Sequence, residues 1–399
     1  MQFQCSKTTI TSCQLCFTLL YFSLLSTTVF AEGAKISLKG EGIKIKQGET
    51  QFQIKARMMW DYDTFDGIHN DGESGSDSEL RHTRLTFKSK LNNALQAKLQ
   101  IDFDQDDETT SSVETGVGDA YIQYTGWDYF WVTVGRAKEP FGLERMSSSR
   151  YITTIERSMA TGAFAPGRNI GVGLSGNADN MTWAVGLYQV NEEDEEEENH
   201  NDYGITAQLT HTPWHGHNNL LHLGIAGSVR NFGGKKYQIK ERAEVHTAEK
   251  IVKSAKILAD KVNLFGLEAA WVKGSFSLQT EYMMAVIKAE TEAEDVNYAG
   301  YYLQSSYFLT GESRSYKKGR FGKIKPNAKS GAYELLARYS VLDAVDNNAG
   351  VEATNITLGI NYYMNEQARL MANYINTELS GEDSDESGNA FSFRIQYSF

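Results

Sequence analysis

Lysine and arginine in this chain are gathered where several could act on one anion. Segment 136–168 carries Arg136, Lys138, Arg145, Arg150, Arg157 and Arg168 against Glu139, Glu144 and Glu156. Segment 310–331 carries Arg314, Lys317, Lys318, Arg320, Lys323, Lys325 and Lys329 against Glu312 alone. Segment 231–259 carries Lys235, Lys236, Lys240, Arg242, Lys250, Lys253 and Lys256 against Glu241, Glu244 and Glu249. Arginine offers oxyanions a planar fork and lysine a mobile point charge. The chain as a whole is acidic, with a formal charge of −12. That total argues against nucleic acid as a partner, but the charges are sorted by position.

Other chemistries find less support. There is no G-x-S-x-G elbow and no P-loop. His211, His215 and His217 flank a short connection, and the bland reading of solvated turn residues outranks a metal site or a barrel-borne hydrolase.

Something must hold these cations in place, and the carboxy terminus shows what. In the last ten residues Phe391, Phe393, Ile395, Tyr397 and Phe399 alternate with Ser392, Arg394, Gln396 and Ser398. A period of two puts rings on one side of a strand and hydrophilic groups on the other. That suits a wall between lipid and water. A terminal strand ending in Phe399 also resembles the assembly signal of Gram-negative outer-membrane barrels, read by the barrel assembly machinery.

Working back from Phe399, alternating segments recur near 51–63, 81–91, 95–104, 117–125, 129–136, 168–177, 181–190, 202–211, 219–230, 260–272, 275–288, 298–309, 332–342, 354–363, 366–378 and 390–399. The expected fold is therefore all-β, a sixteen-stranded antiparallel transmembrane barrel with an even strand number. Short turns such as Asn92-Asn93 alternate with longer, mostly acidic connections. With the terminal strand ending in the periplasm, the long acidic connections face outward. The run Glu192–Glu198 reads as a solvated loop; cation bridging to lipopolysaccharide is the sharper reading and the weaker one.

Parity also sets the sides. On 51–63 the apolar set Phe52, Ile54, Ala56, Met58 and Trp60 faces lipid, leaving Lys55 and Arg57 inward. On 81–91 Leu85, Phe87 and Leu91 face out, with Arg84, Lys88 and Lys90 inward, and Lys98 joins them from 95–104. A charge on the lipid face would cost about 2–4 kcal/mol at midplane. The inward face of such a wet barrel is expected to stay polar. Inward cations also serve as plain counter-charges in general porins; the coincidence of a basic wall with three basic connections favours an anion pore. Within 231–259, Val245, Ala248, Val252, Ala255 and Ala259 recur at three and four and predict a short amphipathic helix.

The amino terminus reads as an export leader: Lys7, an apolar stretch from Leu15 to Leu25, and Val29-Phe30-Ala31 as the cleavage site. The expected organisation is a signal peptide over 1–31, an amino-terminal arm over 32–50 and a barrel over 51–399. All three cysteines lie in the leader, so the exported chain would carry no thiol.

Longer stretches resemble a known family. Gly135-Arg-Ala-Lys-Glu-Pro-Phe-Gly-Leu-Glu144, Ser147-Ser-Ser149, Ile155-Glu-Arg157 and Phe164-Ala-Pro-Gly-Arg168 are similar to the third loop of the phosphate-selective porin O and P family. Tyr307–Glu312, Ile324–Pro326, Glu334–Asp343 and Leu370–Tyr374 resemble its carboxy-terminal blocks. The resemblance implies a homotrimer of sixteen-stranded barrels with long connections folded into each lumen. It implies an arginine ladder, matched by Arg57, Arg81 and Arg84, although Arg81 is off the inward parity. It implies a central anion site, for which Arg145, Arg150 and Arg157 with Lys138 are the candidates, and a basic inner turn with Lys317, Lys318, Arg320 and Lys323. The expected function is passive diffusion of small anions, phosphate or polyphosphate, across a Gram-negative outer membrane, without cofactor or metal. The alternatives are a general non-selective porin, a non-conducting surface adhesin or a barrel enzyme.

Overall fold

The computed structural model describes residues 34–38, 42–70, 72–105, 113–190, 202–216, 218–290, 295–347, 349–381 and 386–399. The expected leader over 1–31, the acidic run 192–198 and His217 lie outside the described residues.

Alternation resolves into sixteen wall strands: β1 (Thr50–Phe65), β2 (Gly75–Leu91), β3 (Leu95–Gln105), β4 (Val113–Tyr124), β5 (Trp131–Lys138), β6 (Arg168–Ala178), β7 (Met181–Gln189), β8 (Tyr203–His215), β9 (Asn219–Tyr237), β10 (Ile257–Lys273), β11 (Phe276–Ala289), β12 (Val296–Phe308), β13 (Ala332–Asp343), β14 (Val351–Tyr363), β15 (Ala368–Gly381) and β16 (Glu386–Ser398). Each pairs antiparallel with the next, and β16 returns to β1 through Ser398↔Arg57 to Ala390↔Phe65, which closes the barrel and leaves no open edge. Strand β14 shows why the pattern forces this shape. Leu358 is 54% exposed toward lipid, whereas Thr357, one residue away, is 0% exposed.

Turn chemistry fits the periplasmic side. Asn92 and Asn93 have φ of 49° and 56°, the left-handed region that a tight hairpin demands and asparagine tolerates. The arm forms two short strands, Lys35–Ser37 and Ile43–Gln47, and the second pairs with the first five residues of β1, below the point where β16 stops.

Two expectations fail. No helix forms over 245–259: Lys240–Glu241 pairs instead with Val252–Lys253, and Glu244 takes φ 65°. The apolar recurrence has another cause. Val245 and Ala248 press on Ile375 and Ala390 of the wall, while Val252 and Ala259 join a cluster with Val262 and Ala353. An irregular loop that plugs a barrel needs apolar residues at uneven intervals, and these imitate a helical spacing.

Nor is the inward face polar all round. Phe141, Met159, Phe164, Phe232, Met283 and Tyr298 form a buried cluster inside the β9–β14 half of the wall. The connections after β5 and β9 fold inward and remove that apolar surface from water, at about 25 cal/mol per Å². The remaining opening is thereby pushed to one side.

Candidate functional site

The opening is a passage of about 1190 Å³, bounded by β1 to β8, the 139–167 loop and residues 317–321. Pairing register brings its wall cations into rows. Arg57 stands opposite Arg84, and Lys88 opposite Lys98. Strand residues two apart are roughly 7 Å apart along the chain, so β2 offers a stepped series through His82, Arg84 and Lys88. A bulge places two residues, Leu80 and Arg81, opposite the single Trp60. Bulges re-aim side chains, and here Arg81 turns into the lumen with Glu79, against the parity of Arg84 and Lys88 beyond the bulge. A second irregularity sets Gly118 and Asp119 opposite Gln100, so that Asp119 can take Lys98 and Arg168, the latter at 2.6 Å.

Facing this wall, strands β5 to β7 carry small residues: Gly135, Ala137, Gly171, Gly173 and Ala184 all border the passage. Tyr188 lies over the glycines, and a Cβ on Gly186 would meet its hydroxyl at 2.5 Å. Small side chains on one wall leave room for long cationic ones on the other.

The 139–167 loop descends through the lumen with two short helices, α1 (Leu143–Met146) and α2 (Met159–Phe164). Its anchors are mostly charges pointing in from the wall. Glu281 accepts the amides of Leu143 and Glu144 at 2.8 and 2.7 Å, satisfying orphan donors at the start of α1. Ser158 caps α2 through the Thr161 amide and is itself held by Glu144. Arg394 donates to Asp61 at 2.6 Å, to the Ile155 carbonyl and to Glu156. Arg81 reaches the same Glu156 at 3.0 Å. Burial opposes the Glu156 charge, yet Arg81 and Arg394 hold its carboxyl well below the usual range. Arg57 donates to Ser149, Arg369 to the Ile152 carbonyl and Asn361 to the Thr153 carbonyl.

The cations of the loop and of its root at the end of β5 are bonded differently. Lys138 donates to the carbonyls of Arg145 and Ser147, Arg145 to that of Pro166, and Arg157 to those of Glu144 and Ser147. Carbonyl dipoles orient a cation without cancelling its charge. Burial, followed by the charges of Arg157 and Arg168, disfavours the charged form of Arg145.

From the periplasmic side, the connection between β12 and β13 rises into the same space. Its hairpin pairs Tyr316–Lys317 with Arg320–Phe321. The Phe321 amide donates to Ser147 of the descending loop at 3.3 Å, and Arg314 lies 3.5 Å over the Phe321 ring. Lys318 sits 5.2 Å from the ring centre of Trp131. The two connections enter from opposite ends and meet in the lumen.

The passage is bordered by fourteen lysines and arginines against Asp119 and Asp128 among the described residues. Of the sequence candidates, Lys55, Arg57, Arg81, Arg84, Lys88, Lys98, Lys138, Arg145, Arg150, Arg157, Lys317, Lys318 and Arg320 all border it. Lys323 does not; it pairs with Glu366 at 3.0 Å near the periplasmic mouth. Arg168 and Tyr121 border the passage too and were not singled out as site residues. The buried acids Asp61, Glu144, Glu156 and Glu281 were also missed, along with Arg338. The polar positions of β13, Glu334, Arg338 and Ser340, alternate with exposed Leu335 and Tyr339, a signal that parity on that strand could have supplied. No group of three potential metal-ligating side chains occurs among the described residues.

Comparison with known proteins agrees with this architecture. The family model "Phosphate-selective porin O and P" matches residues 52–399. Porin O of Pseudomonas aeruginosa is 27% identical, over 93% of this chain and 94% of its own. An anion-selective porin from Comamonas acidovorans superposes with a TM-score of 0.59 at 14% identity, covering 88% of this chain and all of the other. OmpT of Vibrio cholerae, in its trimer form, does so at 0.55 and 14%, with the same coverage. At these identities the two structures bear on the fold alone. The sequence match over nearly the whole barrel carries the assignment: the chain belongs to the phosphate-selective porin O and P family, the outer-membrane channels of Gram-negative bacteria.

Proposed function

We propose that this porin passes small oxyanions, phosphate or short polyphosphate, passively down their gradient. The observation that carries the reading is the lining itself, fourteen cationic side chains against two carboxylates among the described residues, in a chain whose formal charge is −12. Rings or ladders of Arg and Lys favour anions, and conduction requires sites that release as well as bind. The field of the stepped wall cations draws anions in. Lys138, Arg145 and Arg157, oriented by carbonyls, form with Lys98 and Arg320 the central stretch where an anion exchanges water for protein donors.

Three further expectations belong to the same reading. A leader over 1–31 directs export, Phe399 presents the terminal strand to the assembly machinery, and the outer face meets lipid and lipopolysaccharide. Assembly as a homotrimer is supported by the family and by the trimer form of OmpT.

Planar-bilayer recording tests the function. Reversal potentials in asymmetric potassium chloride should show chloride selectivity, and added phosphate should block that current. A cation-selective pore, or a chloride current indifferent to phosphate, would leave a general porin as the correct description.

A further inference from the structure

On the periplasmic side of the central cations, the wall formed by β3 to β6 changes character. Register lays Lys98, Tyr121 and Gly135 in one row across β3, β4 and β5. The next row toward the periplasm is Gln96, Gln123 and Thr133. One row lower, Trp131 pairs with Ser175 of β6. All of these border the passage. Two strand residues rise roughly 7 Å, so Tyr121 and Trp131 bracket a neutral band about 13 Å long. Among the described residues, the lining carboxylates Asp119 and Asp128 stand at its two ends and none lies within it.

Both rings are turned toward water. Val134, of opposite parity on β5, is the residue exposed to lipid. Gly135 leaves the space beside Tyr121 open: a Cβ there would lie 3.2 Å from that of Tyr121. Lys98 stands 6.0 Å from the Tyr121 ring centre and Lys318 5.2 Å from that of Trp131, and Lys318 and Arg320 are exposed to the passage. Between the rings, Gln123 donates to Thr133 at 2.9 Å. An amide has a second hydrogen and an acceptor oxygen besides, so this band keeps capacity for both kinds of hydrogen bond. A bare oxyanion is held by cations and makes no use of amides or ring faces. A solute with a charged head and an uncharged, hydroxylated body uses all three.

We infer that the Tyr121–Trp131 band is a subsite for the organic part of a phosphate monoester, the chemical class of the sugar phosphates. The phosphate sits among Lys98, Lys138 and Arg320. The body extends toward the periplasm, with hydroxyls on Gln96, Gln123 and Thr133 and carbon-bound hydrogens against the ring of Trp131. The inference rests on the anion-channel reading proposed above and names a further solute class for it.

The test is block of the chloride current through the exported protein in planar bilayers, titrated separately with inorganic phosphate, glucose 6-phosphate and glucose. Glucose 6-phosphate should half-block at a concentration about fivefold below that of phosphate, and glucose should not block. Trp131→Leu should remove that advantage and leave the phosphate titration unchanged, and Trp131→Phe, which keeps an aromatic face, should restore most of it. Equal half-blocking concentrations for ester and phosphate, or an ester block indifferent to Trp131→Leu, overturn the subsite and leave the channel reading standing. A chloride current that neither phosphate nor ester blocks overturns both.

Discussion

The Arg338 guanidinium stands 3.4 Å from the Glu144 carboxylate and donates to Thr154 at 2.7 Å. It also bonds the Glu156 carbonyl and pairs with Glu244. One wall residue thus ties together the two loops that fill the lumen, and it is almost fully buried. Removing one partner of a buried ion pair costs about 3–5 kcal/mol, because the other charge is stranded. Arg338→Met should lower the unfolding temperature, read by heat-modifiable gel mobility. The pore should also become wider and noisier in single-channel records.

Charge along the passage has opposite-sign tests. Lys138→Gln removes a cation oriented by carbonyls and should weaken phosphate block, on the order of tenfold. Asp119→Asn removes one of the two lining carboxylates and should raise anion over cation permeability. Phosphate titration of the chloride current measures the first and reversal potentials the second; unchanged block in Lys138→Gln, or a shift toward cations in Asp119→Asn, would contradict the placement of the passage.

Loop docking should depend on pH through Glu241. Burial pushes its carboxyl up to about 7. The folded state therefore favours the protonated form. The associated stability is fully present below the unfolded value of about 4.3, falls as pH rises, and is lost above about 7. Channel noise should grow between pH 5 and pH 8, and Glu241→Gln should flatten the profile.

The lipid-facing register can be checked away from the pore. Leu358→Arg should cost about 2–4 kcal/mol near midplane, seen as a lower urea midpoint in refolding into bilayers. An innocuous substitution would mean that Leu358 does not meet acyl chains.

Much of this was legible because a barrel wall obeys a strict local rule. A period of two decides each strand's faces, so Lys55, Arg57, Arg84, Lys88 and Lys98 could be placed inside from sequence alone. Arg81 was ambiguous for a physical reason: the extra residue opposite Trp60 shifts the parity beyond it, and a bulge leaves no mark in the pattern. The 231–259 loop was misread because its apolar residues are spaced by the wall they plug. The acids that anchor the loops were hidden by their dispersion. Asp61, Glu144, Glu156 and Glu281 come from distant parts of the chain and acquire meaning only when the cylinder closes.

That closure has a consequence for assembly. Arg394, five residues from the carboxy terminus, must meet Asp61 on the first strand in the same act that lets it seize Glu156. Until the final segment is zipped to the opening one, the descending loop lacks its anchor at the seam. The last hairpin therefore completes the wall and the seating of the descending loop together.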